Sequence, residues 1–113
     1  MELQFLIMVD TKLSLNEIIL YLKEKLSDTT PVRSRSFDWS SNWIQVWDND
    51  DFDPDKISDP EDGFLYYPYR IEVSPNTKEI NLEQQIAVAR SLVERLEMTG
   101  AKVQVCADFE GML

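Results

Sequence analysis

The chain has no histidine, which removes the commonest general base and the commonest transition-metal ligand. Serine, cysteine or zinc catalysis of the usual kinds would have to be assembled without it. A single cysteine, Cys106, can form no internal disulfide, which agrees with a reducing compartment. Lone cysteines on apolar strands are more often small core residues than nucleophiles. The three glycines, Gly63, Gly100 and Gly111, are scattered, so no glycine-rich phosphate loop exists. The apolar run near the start, Phe5 to Val9, is much shorter than a membrane span, and the opening MELQ has neither the basic region nor the cleavage site of a secretory leader. A cytoplasmic setting is expected. Basic residues are few, 11 against 21 acids, for a net charge of -10. Such a surface repels phosphate backbones, so nucleic acid is not the expected partner and a cationic protein is favoured if a macromolecular partner exists at all; with no apolar run long enough to span, no membrane partner is expected either. Solubility alone accounts for the same balance.

What is present specifies a folded domain. Five Phe, four Tyr and three Trp in 113 residues are too many large aromatics for a disordered tail, and the length suits one domain spanning residues 1–113. ELQFLIMVD alternates, with Leu3, Phe5, Ile7 and Val9 on one face and Leu6 and Met8 making the other face apolar as well. It reads as an interior strand. Ser14 and Glu17 form a capping box ahead of a helix carrying Leu15, Ile18, Ile19, Leu22 and Leu26. Asn81 and Gln84 do the same for a second helix with Leu82, Ile86, Ala89, Val93 and Leu96, closed by Gly100.

Between the helices, VRSRSFDWSSNWIQVWD is one long strand or two strands turned at Ser40-Ser41-Asn42, and period alone leaves both open. FLYYPYRIEV is strand-like, although Pro68 cannot donate to a ladder and demands a bulge or a free edge. AKVQVCADF closes the chain as a strand, with Val103, Val105, Ala107 and Phe109 inward. The order β-α-β-β-α-β predicts an α+β domain of ferredoxin-like type: two helices on one face of a four-stranded, mainly antiparallel sheet.

The most distinctive segment is DNDDFDPDKISDPED at 48–62. Counted from Asp51, the carboxylates of Asp51, Asp53, Asp55 and Asp59 fall near the ligand positions of a calcium loop. Lys56 stands where that loop needs glycine, Asp62 replaces its bidentate Glu, Pro54 and Pro60 stiffen the backbone, and strands flank the segment where helices are required. An EF-hand is excluded, and a looser calcium site stays as an alternative. Clustered carboxylates repel one another unless a counter-charge arrives. Trp47 and Tyr66 border the run, so aromatic anchors lie beside carboxylates able to steer and pair with Lys or Arg. The candidate partner-binding residues are therefore Trp47, Asp48, Asp50, Asp51, Asp53, Asp55 and Tyr66. A plain solvated connection remains open.

No catalytic residue, metal ligand or cofactor is assigned. A small carboxylate enzyme using Asp38, Asp108 or Glu110, with Trp or Tyr platforms, is a further alternative that requires a groove holding those acids. An aromatic-flanked acidic loop, WIQVWDNDDFDP, followed by a helix and the closing CADFE, resembles the small acidic immunity proteins with which bacteria neutralise cationic toxins. The segments Trp43 to Arg70 and Leu82 to Glu110 resemble uncharacterised bacterial proteins. The immunity-like resemblance implies a noncatalytic protein whose acidic loop covers a basic partner surface. A homodimer is left undetermined.

Overall fold

A computed structural model describes all 113 residues. Strand β1 (Phe5–Asp10) leads to helix α1 (Leu15–Lys25), strands β2 (Thr30–Arg33), β3 (Ser36–Trp39) and β4 (Asn42–Asp48), a 3₁₀ turn at Gly63–Tyr66, strand β5 (Tyr69–Pro75), helix α2 (Leu82–Glu97) and strand β6 (Lys102–Cys106). The six strands form one sheet in the order β2-β3-β4-β5-β1-β6, with every neighbouring pair antiparallel. The expected four-stranded ferredoxin-like sandwich is thereby corrected to two helices on a six-stranded sheet.

The difference arises between Thr30 and Asp48, where the chain makes two hairpins. Ser40 and Ser41 both have positive φ, 49° and 63°, and join β3 to β4 by a two-residue turn that pairs Trp39 with Asn42. Two left-handed residues are what a turn of this twist requires, and serine fills the role more commonly played by Asn-Gly. The turn moves the inward row from odd to even positions. Phe37 and Ile44 are paired and both fully buried, while Trp43, Gln45 and Trp47 stand on the opposite face. Of the two readings left open for this segment, the turn at Ser40-Ser41 is the one that forms, and a further hairpin from β2 to β3 precedes it. Ile44 and Val46 belong to the core.

Both helices pack on the same side. Ile18, Ile19 and Leu22 of α1 and Val88, Ala89, Leu92 and Leu96 of α2 join Phe5, Ile7, Val9, Phe37, Ile44, Val46, Ile71, Val73 and Val105 of the sheet in one buried cluster. Burying each such aliphatic or aromatic side chain is worth about 1.5–3 kcal/mol. The two capping boxes form as their sequences require: Ser14 Oγ and Asn81 Oδ1 accept from the amides of Glu17 and Gln84, whose side chains accept from the cap amides. Gly100, with φ +86°, takes the left-handed position after α2. Pro68 raises no ladder conflict, since it lies just before β5, which adjoins β1 and β4.

The other face of the sheet carries no helix. Its rows run across strands: Ser36, Gln45, Glu72, Leu6 and Cys106 in one, Trp47, Arg70, Met8 and Gln104 in the next. No helix is long and apolar enough to cross a membrane.

Candidate functional site

The acidic segment is folded onto itself, and an uncharged residue holds it. Asn49 is buried; its Nδ2 donates to the carbonyls of Leu65 at 2.9 Å and Tyr67 at 2.7 Å, and its Oδ1 accepts from the amide of Asp51 at 3.1 Å. Its backbone amide donates to the Pro68 carbonyl and its carbonyl accepts from Phe52. Only an amide side chain can donate to two carbonyls and accept from an N–H in this way. Asn49 is not among the residues the sequence singles out; the available signal is one Asn among Asp residues at the mouth of the loop.

Two carboxylates are spent on the loop's own backbone. Asp53 Oδ1 accepts from the Asp55 amide at 3.0 Å. Asp59 Oδ1 accepts from Glu61 at 2.8 Å and Asp62 at 3.0 Å. Those amides, Asp62 first and Glu61 second, hold the Asp59 carboxyl below the ordinary carboxylate range. The amide of Gly63 donates to the Asp59 carbonyl at 3.0 Å, and a Cβ at Gly63 would lie 2.3 Å from the carbonyl oxygen of Ile57. Glycine is required there by close approach rather than by φ.

Asp48, Asp50, Asp51 and Asp55 remain exposed, and Asp53 is half-buried. None of them forms an ion pair: the chain has two, Lys25–Glu24 at 4.0 Å and Arg70–Glu72 at 3.7 Å. Lys56, the loop's own cation, sits 5.0 Å from the centre of the Tyr66 ring, within range of a cation–π contact. Tyr66 lines a hollow of about 450 Å³ with Asp55, Lys56, Ser58, Asp59 and Asp62. Trp47 lines a different hollow, of about 160 Å³, with Trp43 and Arg35. Tyr66 thus joins the acidic residues, whereas Trp47 stands on the open sheet face where the loop leaves β4.

The carboxylates do not converge on a common point, and no three Asp, Glu or Cys side chains gather into a set that could hold a metal ion. Nor do the acids considered for catalysis come together. Asp38 is on β3 while Asp108 and Glu110 follow β6, four strands further across the sheet. At about 4.8 Å per strand that is roughly 19 Å, too far for a pair flanking one scissile bond, which stays within about 10 Å. Asp108 accepts from the backbone amide of Glu2 at 2.8 Å. Glu110 borders the largest hollow, about 670 Å³ between α2 and β6, lined also by Val93, Glu94, Met98 and Val103. Cys106, half-buried at the end of β6, has its thiol pushed up by burial and secondarily by Glu110, the reverse of what an activated nucleophile needs.

Comparison with protein-family models, with curated proteins and with solved structures returns no match.

Proposed function

We propose that the chain is a noncatalytic binding protein that engages a cationic protein partner through the 48–62 loop, in the manner of the small acidic immunity proteins it resembles. The observation that carries this reading is the loop's state of charge. Asp48, Asp50, Asp51 and Asp55 point to solvent from a backbone already pinned by Asn49, and no Lys or Arg of the chain neutralises them. A prefolded segment loses little ordering entropy on binding, so the energy of pairing goes into affinity. Uncompensated carboxylates steer a basic surface at long range and pair with its Lys or Arg at contact.

Lys56 and Tyr66 fit the same mechanism. A partner cation reaching Tyr66 takes the place of Lys56 over the ring and releases that lysine from the acidic hollow. Trp47, at the root of the loop, supplies aromatic contact on the adjoining sheet face. The calcium alternative gains no support, because Asp53 accepts from the amide of Asp55 and Asp59 from those of Glu61 and Asp62.

The test is affinity capture from the native cell with mass identification of the bound protein, followed by association kinetics with the purified partner. The reading expects a basic partner whose association slows steeply with salt, and slows similarly when Asp50, Asp51, Asp53 and Asp55 are changed to Asn. An association indifferent to both overturns it.

A further inference from the structure

The two hairpin strands β2 and β3 bring a second, oppositely charged feature onto the open sheet face. Arg33 and Arg35, at the end of β2 and in the turn that follows, line the hollow of about 160 Å³ with Ser36, Trp43, Gln45 and Trp47. In a chain with 21 carboxylates, neither arginine has an acidic partner within ion-pair distance. Asp38, the one carboxylate on β3, lies across from Trp43 and pairs with neither.

The floor of the hollow is unusual in a second, independent respect. Four buried side-chain polar atoms in the whole chain lack a hydrogen-bond partner: Ser36 Oγ, Trp43 Nε1, Trp47 Nε1 and Arg70 Nε. Three of them belong to residues lining this hollow. The fourth belongs to Arg70, directly across the ladder from Trp47. A buried polar group without a partner costs about 1–3 kcal/mol, and such groups scattered at random would not collect on three adjacent strands. All four are donors: an indole N–H has no acceptor capacity, a guanidinium has none, and a hydroxyl can turn its proton outward.

The geometry points to a binding site for a compact oxyanion, a carboxylate or phosphate group, seated between Arg33 and Arg35 over Trp43 and Trp47. Such a ligand supplies the two things the hollow lacks, negative charge for the guanidinium forks and acceptor oxygens for the indole and hydroxyl donors. Arg33 and Arg35 are exposed, so their guanidinium groups are free to turn toward a ligand in the hollow they line. The hollow has room for the charged end of an acidic side chain or for a phosphate, and not for a large ligand. No loop carboxylate takes part, so the site stands whether or not 48–62 binds a cationic partner.

The three tryptophans make the experiment self-controlled, because Trp39 packs against the core on the other face of the sheet. The indole N–H signals of ¹⁵N-labelled protein are followed during titration with sodium phosphate and, separately, with N-acetylglutamate, against sodium chloride at matched ionic strength. Saturable movement of the Trp43 and Trp47 signals with Trp39 still is the expected result, from one or both oxyanions. The arm that saturates at the lower concentration distinguishes phosphate from carboxylate as the preferred chemistry. Arg33→Gln and Arg35→Gln, both at exposed positions, are expected to weaken binding by about tenfold each, the effect of removing one charge-assisted contact, with the Trp39 signal in place to show that the fold is kept. Shifts that match chloride, that move Trp39 equally, or that persist with unchanged affinity in the Arg33→Gln/Arg35→Gln double variant overturn the site.

Discussion

The side-chain amides of Asn42 and Gln85 exchange two hydrogen bonds in the core, Asn42 Nδ2 to Gln85 Oε1 at 3.1 Å and Gln85 Nε2 to Asn42 Oδ1 at 2.8 Å, with both residues fully buried. The second N–H of Gln85 donates to the Leu3 carbonyl at 2.8 Å and that of Asn42 to the Ser40 carbonyl at 3.0 Å. One amide pair thus ties α2 to the strained Ser40-Ser41 turn and to the residues ahead of β1. A satisfied buried network of this kind specifies one arrangement, and a half-satisfied one is costly.

Removing either partner leaves the other amide buried and unpaired. Gln85→Ala and Asn42→Ala are each expected to lower unfolding stability by about 2–4 kcal/mol, combining lost bonds and lost packing. Urea unfolding of the two single variants and the double variant gives the coupling, expected to be about 1 kcal/mol or more. Additive losses would show that the two amides do not act as a pair.

Asn49→Asp changes one group in the loop and tests what holds it. A carboxylate at this position cannot donate to the Leu65 and Tyr67 carbonyls, and it faces both of them with negative charge. A loss of about 2–4 kcal/mol is expected, with faster amide exchange at Asp51 and Phe52. Exchange rates equal to the wild type at those two amides would remove Asn49 from its role as the pin of the loop.

The helices and most of the core were legible in the sequence because their signals are local. Ser14 with Glu17 and Asn81 with Gln84 satisfy orphan helix amides from within a few residues, and the apolar stripes that follow need no knowledge of the sheet. The strand count was legible only in part: a turn at Ser40-Ser41-Asn42 stood as one of two readings, and the β2–β3 hairpin ahead of it was not read at all. Ser40-Ser41 carries none of the glycine that usually marks two positive-φ residues, and the alternation from Arg33 to Trp47 continues through the turn, so the change of face leaves no trace in the period. The candidate site divides the same way. That Asp48, Asp50, Asp51 and Asp55 are exposed follows from composition, whereas the roles of Asn49 and Gly63 depend on backbone carbonyls brought from outside their neighbourhood. The separation of Trp47 from Tyr66 arises because Gly63–Tyr66 is a 3₁₀ turn and not the start of a strand, so Tyr66 goes with the loop while Trp47 stays on β4.

Gly63→Ala adds one methyl group against a backbone that cannot yield. With the Ile57 carbonyl oxygen at 2.3 Å from the added Cβ, the 57–63 segment must open. The expected loss is about 1–3 kcal/mol, read by thermal unfolding, together with weaker protection of the Gly63 amide. Full protection and unchanged stability would show that the turn relaxes freely.

Stability is expected to fall on the alkaline side. The Cys106 thiol is raised above its ordinary 9.0, by burial and then by Glu110, and the Tyr67 and Tyr69 hydroxyls above 10.0, by burial and then by Asp10 and by Asp48 with Glu17. An acid whose folded pKa is raised keeps its proton longer in the folded state. Its contribution is fully present below the unfolded pKa and is lost as pH climbs through the folded one. Urea unfolding should therefore weaken from pH 9 upward, and Cys106 should react with a thiol reagent more slowly at pH 8 than a free cysteine does. Asp59 acts at the other end: its depressed pKa contributes above the ordinary 3.8 and is lost as pH falls through the lower folded value. Midpoints that stay level from pH 8 to 11 would contradict the alkaline assignment.

In the function proposed, exposed and unpaired carboxylates on a prefolded loop draw in a cationic partner. The most direct measurement is the association rate constant with the captured partner at 20 and 300 mM salt, for the wild type and for the variant with Asn at positions 50, 51, 53 and 55. The wild-type rate is expected to fall about tenfold or more across that range, and the variant to start slow and barely respond. Equal rates for the two proteins at low salt would contradict it.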